Sequence, residues 1–262
     1  MMELLDELTK AIEAGLLAKE KIMYYYNNGF HVEIKEDASP VTEADKQADK
    51  IIHDYLLKYF PDYGFLTEES DDDHSRLEKE YVWIIDPLDG TKDFVKRDGE
   101  FTTNIALCKN HEVVLGVVIV PSKNIYFYAI KGQGSYKVDL NNKTKIKIHV
   151  SNKTEDLTCL RSVFHFSDEE KRMISKHSNK IKHIEAAGSS LKACLIAEGK
   201  AEISYRLSPG TKEWDTAAFQ IIVFEAGGLV LKPNKEIMKY NRLDVYNKEG
   251  YIIINNIKNF LL

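Results

Sequence analysis

Two aspartates, Asp86 and Asp89, follow an apolar run and are separated by Pro87 and Leu88. The run, residues 81–85, has the β-rich composition of a buried strand, and Pro87 predicts its end because proline fixes φ and lacks a backbone N–H. Both carboxylates should therefore lie at the carboxyl end of a strand. Carboxylate oxygens are ligands that divalent cations prefer. The segment predicts a metal site.

The next two residues predict that this site also binds phosphate. Gly90 permits a backbone angle that other residues avoid, and Thr91 has the side chain of a helix cap. A helix beginning there would direct its free N–H groups at an anion beside the aspartates. The segment thus favours a metal-dependent phosphate site.

Two further acidic residues, Glu68 and Asp215, also fall where an element starts or ends. Together with Asp86 and Asp89 they suit a metal site at the edge of a sheet. Some members have a simpler alternative: Asp215 fits a helix N-cap, and Asp89 with its following glycine fits a plain turn. The combination with Asp86-Pro87 favours the metal-site interpretation over these alternatives.

Asp45 has two competing interpretations. Thr42 and Asp45 have the spacing of a capping box, with Asp in place of the usual Glu. Alternatively, Asp45 is a proton acceptor that pairs with the hydroxyl of Thr91 and orients a water whose pKa a metal lowers. Residues 71–74 are also acidic, but they lack the Gly and Glu of a calcium-binding loop, so a mobile, solvated charge run is predicted there.

Hydrophobic periodicity outlines the remaining elements. Helices are predicted over residues 1–25, from 43 to about 60, from a capping box at Ser167 and Glu170, and over 189–198 and 217–226. Strands are predicted over residues 101–107, 113–120, 125–130, 135–150, 159–164, 202–205, 229–231 and 251–254. This pattern predicts an α+β or α/β fold of layered sheets and helices. Predicted strands are grouped before Ser151 and alternate with helices after it. This change suggests an N-terminal α+β half, 1–150, and a C-terminal α/β half, 151–262.

Composition limits the class of protein. The 262 residues are 44% hydrophobic and 29% charged, and no apolar stretch approaches the roughly 20 residues of a membrane span. The acidic, amphipathic N-terminus lacks the basic region of a signal peptide, so a cytoplasmic location is expected. The net charge of -5 argues against a nucleic-acid polymer as partner. Reduced, buried thiols are expected for the three widely spaced cysteines, Cys108, Cys159 and Cys194.

The motif of residues 86–91, with Glu68-Glu69 upstream and Trp214-Asp215 downstream, resembles the inositol monophosphatase superfamily of lithium-sensitive, magnesium-dependent phosphatases. The resemblance implies the layered αβαβα sandwich of the inositol monophosphatase and fructose-1,6-bisphosphatase type. Residues 39–45, 89–94, 99–107 and 188–192 look most like the bacterial 3'(2'),5'-bisphosphate nucleotidases of the CysQ type. Such enzymes remove the 3'-phosphate of adenosine 3',5'-bisphosphate. In-line attack by a metal-activated water, without a phosphoenzyme, is the mechanism implied.

The resemblance also implies a role for individual residues. Glu68, Asp86 and the carbonyl of Leu88 match ligands of a first metal, while Asp86, Asp89 and Asp215 match those of a second. Glu68 also matches a contact to a third, weaker ion. Two to three Mg²⁺ ions are expected, with Mn²⁺ as a substitute and Li⁺ and Ca²⁺ as inhibitors.

Further matches concern water activation and the substrate. Thr91 and Asp45, with Glu68, match the catalytic residues. The residues that match substrate-binding positions are Asp89, Gly90, Thr91, Lys92, His165, Gly188, Ser189, Lys192, Arg206 and Asp215. Alternatives remain for three of them: a solvent-facing lysine for Lys192, a surface ion pair for Arg206 and a helix N-cap for Ser189. Residues 207–210 depart from the relatives' pattern, so the resemblance does not determine the shape of the base pocket.

Several alternatives remain at the level of function. Inositol monophosphate and sugar bisphosphates share the metal core, so they are the runner-up substrates. A phosphate-ligand sensor without catalysis is the non-enzyme alternative. The sequence leaves open the oligomeric state and peripheral attachment to the inner membrane face, but it predicts no integral membrane segment.

Overall fold

A computed structural model of the chain describes residues 4–34 and 40–262. The first three residues of the predicted N-terminal helix and Ser39 lie outside them. Helix α1 spans Leu5–Asn28, and α2 spans Glu43–Tyr59. Between them, β1 (Val32–Ile34) and β2 (Pro40–Thr42) form an antiparallel pair that the sequence analysis missed. Over the described residues, no helix combines the length and apolar character needed to cross a bilayer.

A seven-stranded sheet occupies the first half of the chain, with its strands in sequential order. Only its first pair is parallel. The short helix α3 (Thr91–Lys96) follows the second strand of this sheet. The strands are β3 (Gly64–Thr67), β4 (Tyr81–Asp89), β5 (Thr102–Lys109), β6 (Glu112–Val120), β7 (Ile125–Ile130), β8 (Gly134–Asp139) and β9 (Thr144–Ile148).

A five-stranded sheet occupies the second half, in the order β11-β10-β12-β14-β13. Its strands are β10 (Leu157–Arg161), β11 (Ile181–Ala186), β12 (Ile203–Arg206), β13 (Leu229–Leu231) and β14 (Tyr251–Ile254). The helices of this half are α4 (Asp168–Lys176), α5 (Leu191–Ala197) and α6 (Glu213–Glu225). The predicted capping box of Ser167 and Glu170 opens α4.

Three hydrophobic clusters arrange these elements in layers. One joins α1 and α2 to one face of the large sheet, through residues such as Ile22, Ile52 and Trp83. A second places α5 and α6 between the two sheets. The third, which contains Ile174 of α4, covers the outer face of the small sheet. The implied αβαβα order is thus confirmed.

Several predicted boundaries were wrong. Strand β11 was missed because its central residues are exposed and carry no apolar alternation. Residues 135–150 form two strands, since a turn at 140–143 separates β8 from β9. Helix α6 begins earlier than predicted, at Glu213, and α5 begins later, at Leu191.

Candidate active site

The metal motif lies at an irregular strand end. Strand β4 continues through Pro87 to Asp89, so the predicted stop at Pro87 was wrong. Pairing with β3 ends at Ile85, and pairing with β5 shifts register between Asp86 and Asp89. Pro87 lies in this gap, where no ladder bond requires its missing N–H. The irregularity brings both aspartates to the end of the sheet.

Three carboxylates meet at this strand end. Oxygens of Asp86, Asp89 and Asp215 lie within 4.8 Å of one another, the arrangement of a candidate metal site. Glu68 is not a member of that group but lines the same pocket. Its backbone N–H donates to the carbonyl of Ile85 at 3.2 Å, which holds it beside the motif.

A divalent cation fits the chemistry of this cluster. Burial, followed by the charges of Glu68, Asp89 and Asp215, raises the pKa of Asp86 well above its usual range. Burial and the charges of Asp89 and Glu68 do the same to the pKa of Asp215. Oδ2 of Asp86 is buried, and no donor among residues 4–34 and 40–262 reaches it. A cation would satisfy this oxygen and relieve the repulsion.

Asp45 makes the hydrogen bonds that each of its two interpretations requires, and its role as a proton acceptor stays a prediction. Its Oδ2 accepts from the backbone N–H and the hydroxyl of Thr42, at 2.8 and 2.6 Å, which completes the capping box. Its Oδ1 accepts from the hydroxyl of Thr91 at 3.0 Å. Burial raises the pKa of Asp45, against the hydrogen bonds from Thr42 and Thr91.

Thr91 and Asp215 take different helix positions from those predicted. Gly90 is the N-cap of α3, with φ of 89°, so Thr91 is its first helical residue and not its cap. Lys212 precedes α6, and its N–H donates to Oδ2 of Asp215 at 2.5 Å. Asp215 is therefore the third helical residue, and the N-cap interpretation was wrong.

A cavity of about 410 Å³ opens onto the carboxylates. All the predicted site residues line it except Asp45, which lies behind Thr91, and Gly188. The N–H of Gly188 instead donates to Oε2 of Glu100 at 2.7 Å.

Basic side chains line the same cavity. These are Lys92, Lys192 and Arg206, which surround His165. Burial, followed by the charges of Arg206, Lys92 and Lys192, lowers the pKa of His165 to about 4. The imidazole is therefore neutral near pH 7, and the positive charge of this wall comes from the three other residues.

The alternatives for the substrate-binding residues do not hold. Lys192 is half-buried, and its Nζ donates to the carbonyl of Ser189 at 2.8 Å. Within residues 4–34 and 40–262, Arg206 forms no ion pair with an acidic side chain, and no acceptor reaches its Nε. Its Nη1 donates to the carbonyl of His165 at 3.3 Å. Ser189 precedes the N-cap position of α5, so it does not cap that helix.

Some residues of the site were missed by the sequence analysis. Asn104 and Ser190 are buried beside Asp89, and Phe164 lines the cavity with Nζ of Lys96 4.1 Å from the centre of its ring. A polar Asn within the apolar strand β5 was an available signal. Pro209 and Gly210, in the segment that departs from the relatives' pattern, also line the cavity.

The acidic loop was only partly predicted. Asp72 forms hydrogen bonds with the guanidinium of buried Arg76, the shortest at 2.7 Å, so it is not a solvated charge. Nη1 of Arg76 also donates to Asn241 at 2.7 Å. The prediction for the cysteines is confirmed: all three are free and buried.

Comparisons with known proteins agree with this geometry. Residues 4–261 match the Inositol monophosphatase family. The chain is 35% identical over 237 residues to the 3'(2'),5'-bisphosphate nucleotidase CysQ of Salmonella typhimurium, covering 89% of this chain and 94% of the relative. The corresponding protein of Aggregatibacter actinomycetemcomitans is 31% identical over 250 residues, 94% of this chain and 91% of the relative.

Solved structures support the same relationship. CysQ from Bacteroides thetaiotaomicron, a bacterial member of the inositol monophosphatase family, has a TM-score of 0.83 and 35% identity, covering 96% of this chain and 98% of that one. An IMPase from Thermotoga maritima has a TM-score of 0.78 and 28% identity, covering 97% and 92%. The chain belongs to the inositol monophosphatase family.

Proposed function

We propose that this chain is a Mg²⁺-dependent phosphomonoesterase that removes the 3'-phosphate of adenosine 3',5'-bisphosphate. The observation that carries the proposal is the distribution of charge in one cavity, which contains both a carboxylate cluster and a basic wall. A bisphosphate needs positive charge at two places, and here metal would serve the reacting phosphate and side chains the other one. The names of the relatives support the same substrate.

Carboxylates and one carbonyl oxygen would hold the metal. These groups belong to Glu68, Asp86, Leu88, Asp89 and Asp215, with Asp86 common to a first and a second ion. When bound, Mg²⁺ supplies positive charge to the phosphate oxygens and lowers the pKa of a water beside it. We expect two to three ions, with Mn²⁺ able to replace Mg²⁺ and with Li⁺ and Ca²⁺ as inhibitors.

Thr91 and Asp45 would take the proton of the attacking water. The hydroxyl of Thr91 donates to Oδ1 of Asp45, so its oxygen can accept a hydrogen bond from the water. As the bond from the water oxygen to phosphorus forms, the proton passes through Thr91 to Oδ1 of Asp45. The bond to the 3'-oxygen breaks, and that oxygen takes a proton from solvent water as it leaves. Asp45 then returns its proton to solvent, which restores the starting state. The backbone of Gly90 and Thr91 would hold the reacting phosphate.

The basic wall would hold the rest of the substrate. Lys192 and Arg206 would bind the 5'-phosphate, and Lys92 would add charge at the entrance, where it is exposed. A neutral imidazole at His165 suits a contact with the base better than a contact with phosphate, because only the protonated ring carries charge. Ser189 would contact the nucleoside from the turn before α5. Gly188 does not line the cavity, and it would support this turn through its bond to Glu100.

Phosphate release from four substrates tests the proposal. Initial rates at saturating Mg²⁺ would be compared for adenosine 3',5'-bisphosphate, adenosine 3'-monophosphate, inositol 1-phosphate and fructose 1,6-bisphosphate. The highest kcat/KM is expected for the nucleotide bisphosphate. A preference for the inositol or sugar substrate would overturn the nucleotide assignment. Mg²⁺ binding without hydrolysis of any of the four would favour the non-catalytic sensor.

A lysine variant tests how the second phosphate is recognised. Lys192→Met should raise KM for adenosine 3',5'-bisphosphate by about 10-fold or more, with a smaller effect on adenosine 3'-monophosphate. Lys200→Met is the matched control, because Lys200 is exposed and pairs with Glu198. Equal effects of Lys192→Met on both nucleotides would contradict a contact with the 5'-phosphate.

A further inference from the structure

One oxygen of the Asp89 carboxylate is surrounded by hydrogen-bond donors. Oδ2 accepts from the backbone N–H and from the hydroxyl of Ser190, both at 2.7 Å. Nδ2 of Asn104 and the hydroxyl of Thr102 approach the same oxygen at 3.3 Å. A carboxylate has about two lone pairs per oxygen, so these donors leave Oδ2 without capacity for a cation. Oδ1 is then the oxygen through which Asp89 can bind a metal together with Asp86 and Asp215.

Asn104 fixes the direction of the Ser190 hydroxyl. Nδ2 of Asn104 donates to Oγ of Ser190 at 2.8 Å. The single hydroxyl proton of Ser190 has two acceptors in reach, Oδ2 of Asp89 at 2.7 Å and the carbonyl of Asp215 at 3.3 Å. The shorter bond leads to the charged oxygen, which is the stronger acceptor. Because both side chains are buried, little water competes for these bonds.

The turn of residues 188–190, which carries Ser190, is also bonded to Glu100. The hydroxyl of Ser189 donates to the carbonyl of Glu100 at 2.6 Å, and the N–H of Gly188 donates to the Glu100 carboxylate. A Cβ at Gly188 would lie 2.8 Å from the carbonyl of Glu100, so only glycine permits this approach. Ser190 is thus fixed between the metal motif and α5, the helix that carries Lys192.

We propose that Ser190, oriented by Asn104, is a positioning residue that occupies Oδ2 of Asp89 and leaves Oδ1 to face Mg²⁺. The inference rests on the proposed function, because it takes Asp89 as a metal ligand. Ser190 does not touch the substrate in this role. It acts by holding a ligand in one orientation, and the loss of such an outer contact typically weakens metal binding by about 10- to 100-fold.

Calorimetric titration of the metal-free protein with Mg²⁺ tests the role directly. Ser190→Ala should weaken Mg²⁺ binding by about 10-fold, and kcat should recover at high Mg²⁺. Ser135→Ala is the matched control: Ser135 is equally buried, and its hydroxyl has no partner among the described residues. Both variants should keep a cooperative unfolding transition in EDTA, with the lower unfolding temperature in Ser190→Ala because it loses a bond to a charged oxygen. Unchanged Mg²⁺ affinity in Ser190→Ala would overturn the proposal, and so would an equal loss of Mg²⁺ affinity in the control Ser135→Ala.

Two additional variants separate the possible causes of failure. If Asn104 acts through the hydroxyl, Asn104→Ala combined with Ser190→Ala should weaken Mg²⁺ binding by less than the product of the two single effects. Fully independent effects would contradict the orienting role of Asn104. Asp89→Asn should also lose Mg²⁺ affinity; retention would remove Asp89 from the metal ligands and overturn the inference. A wrong substrate assignment would leave all these titrations unchanged.

Discussion

Asp86 lies in an unfavourable electrostatic environment. Its buried Oδ2 has no donor among the residues that the structure describes, and burial, followed by the charges of neighbouring carboxylates, raises its pKa. Asp86→Asn should therefore abolish both the magnesium dependence and the release of phosphate, to below about 1% of the wild-type rate. Phosphate release and Mg²⁺ titration would measure the loss. Asp54→Asn, a change at an exposed position of α2, is the control, and retained activity in Asp86→Asn would exclude the proposed site.

Thr91 gives a second prediction at the scale of one residue. Thr91→Val keeps the shape of the side chain but removes the hydroxyl that donates to Asp45. The rate constant kcat should fall by about 100-fold or more, while the affinity for Mg²⁺ stays close to that of the wild type. Thr91→Ser restores the hydroxyl and should recover most of the rate. Similar kcat values for the Val and Ser variants would show that the hydroxyl carries no proton.

The short turn from β4 into α3 is where sequence and structure agree in part. Gly90 has a backbone angle that other residues avoid, as the sequence allowed, but the strand passes through Pro87 and Thr91 does not cap the helix. Local signals identify the residues of a turn, but not the register shift that depends on pairing with β5. Ser190 and Asn104 were missed for the same reason, because their contacts with Asp89 join segments far apart in the chain.

Periodicity predicted elements best where one face is buried. The strands β7 and β14 have the predicted bounds, whereas most of β11 is exposed and shows no apolar alternation. In α1 the predicted apolar face was only partly correct, because Leu5 is exposed and Ala14 and Ala18 are buried. At Asp72 the sequence pattern was misleading. The run of acidic residues predicted a solvated charge, but Asp72 pairs with the buried Arg76. The carboxylates of the site were predictable because they follow strand and helix boundaries, but the residues that orient them were not.

A glycine substitution tests the turn as an element. In Gly90→Ala the positive φ of 89° costs about 1 kcal/mol, and the added Cβ lies 3.1 Å from Oδ2 of Asp93 and 3.2 Å from Cβ of Ser189. We expect kcat/KM to fall by about 10-fold or more, because small displacements of reacting groups are costly.

Gly132→Ala separates backbone strain from displacement in the site. Gly132 has φ of 79° and nothing within 4 Å of the added atom, so its variant should lose similar stability but keep its activity. Thermal unfolding and kinetics of both variants provide the comparison. Equal activity losses would contradict a local effect at Gly90.

Repulsion within the carboxylate cluster affects the stability of the whole molecule. Burial and mutual repulsion raise the pKa of Asp86 and of Asp215 above the ordinary value of 3.8. Raised carboxyl pKa values give a contribution to stability that is present below about pH 4 and is lost as pH rises through the folded-state values. In EDTA, the stability of the wild type should therefore fall relative to that of Asp86→Asn as pH increases. Unfolding temperatures across pH would measure this difference in stability. With Mg²⁺ present, the wild type should become the more stable of the two proteins.

The two halves of the chain form one molecule through a shared core. Helices α5 and α6 of the second half cover a face of the large sheet that includes Val82, Ile84 and Phe127. The division into 1–150 and 151–262 remains a proposal about how the chain is organised. If the shared core is essential, a fragment of residues 1–150 should expose this face and fail to fold on its own, because the apolar area has no other cover.

Size-exclusion chromatography and binding of a hydrophobic dye would measure this exposure. The fragment should aggregate or bind the dye strongly, whereas co-expression with residues 151–262 should restore a compact complex by covering the sheet with α5 and α6. A soluble fragment that unfolds cooperatively would instead make the first half an independent domain. In that case the cluster of Asp86 and Asp89 would fold without Asp215, and Mg²⁺ binding by the fragment alone would measure how much the second half contributes to the site.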